Sequence, residues 1–506
     1  MEIIVNPFAS RVFEAALKAI EAAGDSVELS DLQELVSSFT KNKDAIWLLD
    51  SSVYALKSLQ KLMETLNRRP EWKRLKLSVR RSILHHANLN ALVVTPHGSS
   101  FVQFVLLDSY HSDEKDYQLP DPVSEAGFQP KSVCSVRHSP EWNQMNGSAE
   151  YKIVHTMLTV DVPQFLDWLQ DPSVAHLTET LILISPASAY DRMLKDMSER
   201  LVCMARHPVS HFVVQKLIEC VQSLEQYRRI LDRLGPCFPE LVHSARGGVV
   251  LKLARAAIRY PEVQDEVCQH LSKAAATDHS AKYDWVIQLA KLRQQSKKPP
   301  SAVQQSGPKK KAKKGSTPIG MQILGELLQF QQKIASKIAA KILECEAPTL
   351  IDWTLDSVAS RTMEAFFYSD QIPQPKKDRL IQIWQESSAL HQLVLDKNGS
   401  HVVDACFRSA NVNTKEELVK QLLPLKQNLR HVPHGKFVIS RVNMDLYDKN
   451  PSEWRKHQEA SIRHKKAFLE LLNFDPNAQK KKRTKHETNE KEAKKIKRNE
   501  TKKKSI

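Results

Sequence analysis

A short phrase of residues returns along this chain at a nearly constant spacing, and that return limits what the chain can fold into. The phrase is a small or polar residue, then an aromatic, arginine or small residue, two apolar-leaning positions, and a Gln, Glu or Asp. Its clearest copies are Ser10-Arg11-Val12-Phe13-Glu14, Ser99-Ser100-Phe101-Val102-Gln103, His211-Phe212-Val213-Val214-Gln215, Ser360-Arg361-Thr362-Met363-Glu364 and Ser400-His401-Val402-Val403-Asp404. Weaker copies begin at Ser51, Ala175, Gly247, Asp284, Gly320 and Lys436. From Ala175 onward the starts are separated by 36, 36, 37, 36, 40, 40 and 36 residues. Chance apolar patterning does not hold such a period over eight units. Upstream, the copies at residues 10, 51 and 99 step by 41 and 48, and the 76-residue gap from 99 to 175 leaves room for one more, with Ser148 as a weak candidate.

Each unit reads as helical. Leu217, Ile218 and Val221 follow one phrase, and Leu251, Ala254 and Ile258 the next, at a three-to-four-residue recurrence. The segments NPFAS, HPVS and DKNGS are turn or helix-start signals. Only 13 glycines are present, fewer than the tight turns of an all-β chain require, while Leu, Ala, Lys, Glu and Gln are plentiful. A unit of two or three helices cannot bury its apolar face alone, but stacked units can. The expected fold is an all-α solenoid of about 11–12 repeats with a C or U curvature. Repeats are expected over residues 1–108, 151–293 and 319–475, the last group ending in a terminal helix. A polar loop insertion with Pro120, Pro122, Pro130 and Pro140 occupies 109–150, a basic disordered linker 294–318 and a basic disordered tail 476–506. No cap precedes the first repeat, so natural sequence is expected to continue before Met1.

The net charge of +16 is localised. From Lys480 onward there are 13 Lys/Arg and 4 Asp/Glu, and from Lys297 to Lys314 there are 7 Lys and no acid. These two segments carry the whole excess, so a polyanion-binding surface on the folded part must come from the placement of charge. Cysteines stand singly at 134, 203, 220, 237, 268, 345 and 406, without a C-x-x-C pair. His207 and His211 are four apart but lack the further ligands a zinc site needs. No catalytic constellation, Walker loop or dinucleotide motif is present, and GGVVLK lacks the second half of either glycine motif. No run of 18 apolar residues exists. The expectation is a binding protein that is not an enzyme, with no cofactor, no metal and no membrane partner, acting as a monomer.

The phrase resembles the pumilio repeat. In that repeat two side chains four apart on the second helix meet one base edge, and the residue after the first stacks between bases. Residues i and i+4 share a helix face, and i+1 is turned toward the adjacent unit by about 100°. The ending HGKFVISRVNMDLYDKNPSEWRKHQEASIRHKKAFLELL, a G-x-F-V phrase leading into a basic tryptophan-containing helix, is similar to that of the nucleolar protein nine family. The resemblance covers residues 1 to about 474. It implies a nucleolar protein that binds small-subunit (18S) precursor ribosomal RNA on its concave face. It also implies that the protein restrains premature cleavage at the 3′ processing site and meets proteins of the small-subunit particle.

Carried over position by position, Ser10, Arg11 and Glu14 match a guanine-reading triplet, as do Ser360, Arg361 and Glu364. Ser99 and Gln103 match an adenine-type pair, although Ser100 offers no stacking plane. His211, Phe212 and Gln215 keep the stacker and the Gln. His176 with Glu179, and Ser400, His401 and Asp404, keep a planar stacker. Lys436, Phe437 and Ser440 keep an aromatic stacker, and Lys436 suits a phosphate. First, second and fifth positions are all expected on the exposed inner face. Gly247, Gly248 and Leu251, and Gly320, Met321 and Leu324, have no group to read a base edge, and Asp284, Trp285 and Gln288 are ambiguous. Two reading arms around a non-reading centre follow. The alternatives are a helical protein-binding scaffold of the armadillo or HEAT kind, or a pumilio-like binder of nucleic acid without sequence preference. The basic tail is a nuclear-import and polyanion-contacting segment on either view.

Overall fold

Helix starts in this chain are set by side chains that satisfy the first orphan amides. Asp171 accepts from the Ser173 and Val174 amides at 2.7 and 3.3 Å, and Asp396, within DKNGS, accepts from Asn398 and Gly399 at 2.7 and 2.9 Å. Ser223 and Gln226 form a reciprocal capping box. In HPVS the Nδ1 atom of His207 accepts from the Val209 and Ser210 amides at 3.2 and 3.3 Å, in the turn that leads to the helix at His211. The computed structural model describes residues 7–23, 30, 32–34, 36–37, 53–68, 70–84, 95–112, 167–185, 187–275, 285–292, 294–295, 316–317 and 319–472. They fall in two compact units, Met1–Ser387 and Ser388–Ile506.

The helices of the first unit are α1 (Pro7–Ala23), α2 (Val53–Leu66), α3 (Lys73–Leu84), α4 (Pro96–Ser112), α5 (Pro172–Ile184) and α6 (Ala187–Met197). Next come α7 (Leu201–Arg206), α8 (His211–Glu219), α9 (Leu224–Leu234), α10 (Phe238–His243), α11 (Gly247–Ala257) and α12 (Gln264–Ala275). After α13 (Trp285–Lys291) stand β1 (Gln294–Gln295) and β2 (Ser316–Thr317), then α14 (Ile319–Leu327), α15 (Gln332–Leu343), α16 (Ala347–Leu355), α17 (Ala359–Tyr368) and α18 (Gln374–Glu386). From α7 on they group in threes, and the second helix of each triad carries the phrase. These second helices pack side by side: α1 on α2, α2 on α4, α4 on α5, α5 on α8, α8 on α11, α11 on α14 and α14 on α17. The fold is therefore the expected all-α solenoid, apart from the two-residue antiparallel pair of β1 with β2.

That packing corrects two expected repeats. Helix α13 does not carry a phrase of its own: it packs on α14 as α10 does on α11, while α11 packs directly on α14. The start at Asp284, itself outside the described residues, thus marks the first helix of a triad that the 294–318 segment interrupts. The period survived there because Gly247 and Met321 stand 74 residues apart, two steps of 37. The ends of that segment pair as β1 and β2, while 296–315 lies outside the described residues. Likewise α4 packs directly on α5, so no copy at Ser148 stands between them; residues 113–166, most of the polar insertion among them, are outside the described part. The basic tail also lies outside it.

Side chains stitch neighbouring triads. Tyr190 on α6 donates to the Leu217 carbonyl on α8 at 2.7 Å, and Tyr227 on α9 repeats this toward Leu253 on α11 at 3.0 Å. Thr362 and Ser369 donate to the carbonyls of Met321 and Leu328, both at 2.6 Å. Arg255 on α11 grips Oε1 of the buried Glu326 on α14 through Nε at 2.9 Å and Nη2 at 2.5 Å, spanning 71 residues of sequence.

The second unit holds α19 (Leu390–Leu395), α20 (Lys397–Ser409), α21 (Val412–Leu422), α22 (Lys426–Arg430), α23 (Gly435–Arg441), α24 (Met444–Lys449) and α25 (Pro451–Leu472). Its phrase helices are α20 and α23, which pack together. Trp454 of α25 is fully buried and donates Nε1 to the Val442 carbonyl at 2.7 Å, closing this end. No described helix is long and apolar enough to cross a membrane.

Tyr227→Phe removes the donor to a buried carbonyl, a loss of about 1 kcal/mol. A lower urea midpoint with an unchanged helical signal is expected; an unchanged midpoint would contradict the stitching role.

Candidate nucleic-acid interface

Each second helix buries one arc and opens another, and the phrase positions follow from the helical turn of about 100° per residue. In α8 the residues His211, Val213, Val214, Leu217 and Ile218 are buried, Gln215 and Lys216 are half-buried, and Phe212 is exposed. Setting the first position at zero, burial covers an arc from about 200° round to 360°. The second position sits near the centre of the open face, the fifth and sixth flank it, and the ninth returns to it.

This alternation recurs in α4, α5, α8, α11 and α17, and in α20 of the second unit. Arg11, Ser100, His176, Phe212, Arg361 and His401 are all exposed second positions. The fifth positions Glu14, Gln103, Glu179, Gln215, Glu364 and Asp404 are half-buried. The first positions contradict the expectation of exposure. Ser10 is 1%, Ser99 1%, His211 5%, Ser360 3% and Ser400 4% exposed, because the zero angle lies at the edge of the buried arc. Ser99 Oγ donates to the Ser173 carbonyl at the start of α5, at 2.6 Å, and Ser400 Oγ to the Lys397 carbonyl at 2.8 Å.

Several fifth positions are held in place. Gln103 donates Nε2 to Ser99 Oγ at 3.1 Å and accepts from Thr180 Oγ1 at 3.3 Å. Arg361 Nη1 donates to both carboxylate oxygens of Glu364, at 3.0 and 3.2 Å. His176 Nδ1 lies 3.3 Å from Glu179 Oε1, the same second-to-fifth pairing. Burial pushes the Glu179 carboxyl above the usual range against the pull of His176 and Lys216. These planar second-position groups are thus oriented before any ligand arrives.

The sixth and ninth positions form a ladder on the open face that the sequence reading missed. Glu219, ninth in α8, accepts from Lys216 at 3.2 Å and from Lys252, sixth in α11, at 3.1 Å. Burial raises the Glu219 carboxyl, but the two lysines outweigh it and hold it below its ordinary value. Arg255, ninth in α11, meets Glu326 in the same way. For Glu326 to be sixth in α14, the phrase there must begin at Met321, not Gly320. Burial agrees: Met321 and Leu324 are sealed, and Gln322 and Gly325 take the second and fifth places. Gly320 instead precedes the phrase, as Gly399 and Gly435 do. A methyl group on it would lie 1.6 Å from the Leu289 carbonyl oxygen, so the glycine lets α13 cross α14 closely. The signal was available, since a glycine also precedes Ser400 and Lys436. In α2 the alternation places Leu56 first, Lys57 second and Gln60 fifth, five residues beyond the copy expected at Ser51.

The centre of the row carries no base-edge chemistry. Gly247, Gly248 and Leu251 in α11 and Met321 and Gly325 in α14 present no polar side chain, and a methyl group on Gly248 would touch the Gln215 amide at 3.1 Å. In the second unit, Lys436, Phe437 and Ser440 of α23 are all exposed. Asp404 is engaged by Arg408 at 3.0 Å and by Arg441 at 3.1 Å. No cluster of potential metal ligands occurs among the described residues, where His207 Nδ1 holds the turn before α8 and His211 is buried.

The His211 ring has a buried Nδ1 without a partner, and burial, reinforced by Arg246, pushes the imidazole down to about 4. In the unfolded chain a histidine takes its proton near about 6.5. Between these values the unfolded chain binds more protons, so this stabilisation is complete above the upper value and lost as pH falls toward the lower. His211→Gln should flatten the fall in melting temperature between pH 7 and pH 5; an equally steep fall would contradict the buried neutral ring.

The NOP9-like PUF repeat domain model matches residues 71–437. Pumilio homolog 23 of Arabidopsis thaliana is 24% identical over 298 residues, 59% of this chain and 39% of that protein. Nucleolar protein 9 of Mus musculus is 22% identical over 326 residues, 62% of this chain and 51% of that protein. The chain thus spans about half, or less, of the length of these curated relatives. A structure of APUM23 with its insert region deleted, carrying GGAAUUGACGG, superposes with a TM-score of 0.68 at 21% identity, covering 91% of this chain and 84% of that one. A structure of APUM23 with GGAGUUGACGG gives 0.62 at 19% identity, covering 91% and 92%. At these identities the likeness establishes the fold.

Proposed function

Because the chain belongs to the NOP9-like PUF repeat family, we propose that it is an RNA-binding factor of the nucleolus that holds small-subunit precursor ribosomal RNA along its row of second helices. Binding at the 3′ processing site would shield it from premature cleavage by a separate endonuclease, within a particle whose proteins dock elsewhere on the chain. The observation that carries the reading is the exposed second position. Phe212 leaves 48% and Phe437 77% of its surface in water, although apolar side chains of this size are normally buried. Phe212 rests against the His211 ring, with centroids 4.0 Å apart, and leaves its outer face open. With Arg11, His176, Arg361 and His401 the two phenylalanines supply planar surfaces at repeat spacing, the chemistry on which unstacked bases rest.

Base-edge contacts come from the fifth positions Glu14, Gln103, Glu179, Gln215 and Glu364. The small first positions, Ser10, Ser99, Ser360 and Ser400, are buried and offer a base no open edge. The non-reading α11 and α14 interrupt the readers of the first unit, which suits an RNA that is structured or looped out between its read segments. A protein-binding scaffold would not require planar groups at this one position, and that feature favours RNA.

The direct test is fluorescence anisotropy with single-stranded GGAAUUGACGG and with RNA spanning the 3′ end of the small-subunit precursor. A base stack contributes about 1–3 kcal/mol, so Phe212→Ala and Arg361→Ala should each weaken binding about 5- to 150-fold. Both residues are exposed, so melting temperatures should barely move. Unchanged affinity in both variants would refute the reading.

A further inference from the structure

The second unit is built differently from the first, and the difference has a chemical meaning. In α20 the fifth-position carboxylate already has two charge partners. Asp404 Oδ2 meets Arg408 Nη2 at 3.0 Å on its own helix, and Oδ1 meets Arg441 Nε at 3.1 Å on α23. Both oxygens face guanidinium groups, two cations to one anion, and Oδ1 is sealed from solvent without accepting a hydrogen bond. In α23 the first position is Lys436, which is exposed, whereas every other described first position from α4 to α20 is buried. Lys436 and Ser440 are four apart, as are Phe437 and Arg441, so the four share one helix face. An almost fully exposed aromatic ring therefore sits between an ammonium and a guanidinium group.

Building on the RNA-binding reading above, we propose that α20 and α23 form a sequence-blind clamp for the sugar-phosphate backbone. Lys436 and Arg441 hold phosphates beside a base stacked on Phe437, and Asp404 restrains the arginines instead of reading a base. Lysine and arginine offer only donors, and a phosphodiester offers only acceptors. The occupant that matches this face is thus a single-stranded backbone with one base swung onto the ring. A helix of this kind adds affinity without adding sequence information.

The test uses the full chain and GGAAUUGACGG, with affinity measured across a salt series. Each phosphate contact on a single strand contributes about 0.7 to the slope of log affinity against log salt, so the Lys436→Gln/Arg441→Gln double variant should lose about 1.4. Its penalties for base changes along the RNA should equal those of the unmodified chain. Asp404→Asn releases both arginines and should tighten binding and steepen the slope; a base-reading aspartate predicts the opposite. An unaltered slope in a double variant with an unchanged melting temperature, or weaker binding by Asp404→Asn, overturns the clamp and leaves the RNA-binding reading standing. Absence of binding by the unmodified chain overturns both.

Discussion

Everything on the open face depends on how one second helix lies against the next. Valine pairs such as Val213-Val214, Val249-Val250 and Val402-Val403 are buried at the third and fourth phrase positions. Each such side chain contributes roughly 1.5–3 kcal/mol by leaving water. Once those positions point inward, the helical turn leaves no freedom for the rest. The second position must face solvent, the fifth and sixth must flank it, and the first must fall at the edge of the buried arc. Stacked planar groups at a regular spacing are thus a geometric by-product of core packing, available for use by a ligand with a regular repeat of its own.

The solenoid and the exposed second positions were legible because both follow from periodicity. Arg361, Phe212 and His401 stand where the phrase places them. The burial of the first positions was not legible, because four-residue spacing does not bring equal exposure. Ser360 and Glu364 differ by about 40° around the helix axis, and the boundary of burial runs between them. The extra repeats at Ser148 and Asp284 were errors of another kind. Where extra residues bring the distance between two phrases to two steps, the sequence mimics a further repeat, and only the direct packing of α4 on α5 and of α11 on α14 separates the two cases. The sixth-to-ninth ladder was invisible because Glu219 and Lys252, or Arg255 and Glu326, are far apart in sequence and read singly as ordinary surface charges.

On the proposed reading the chain combines three kinds of contact. Planar second positions would accept bases of any identity. Half-buried carboxylates and amides at the fifth position, several of them already hydrogen-bonded, would offer discrimination at a subset of sites. The charge excess lies in segments outside the described residues, and charge of that kind attracts any polyanion without choosing among them. Glycine and sealed apolar residues in α11 and α14 remove the discriminating groups from the centre while Arg255 and Glu326 keep its helices in register.

The claim that the second-helix row, and not the lysine-rich segments, is where RNA is held can be tested by ultraviolet crosslinking of the complex followed by mass spectrometry of the peptide–RNA adducts. The account predicts adducts on the α8 peptide at Phe212 and on the α23 peptide at Phe437. Adducts confined to residues 297–314 and 480–506 would contradict it.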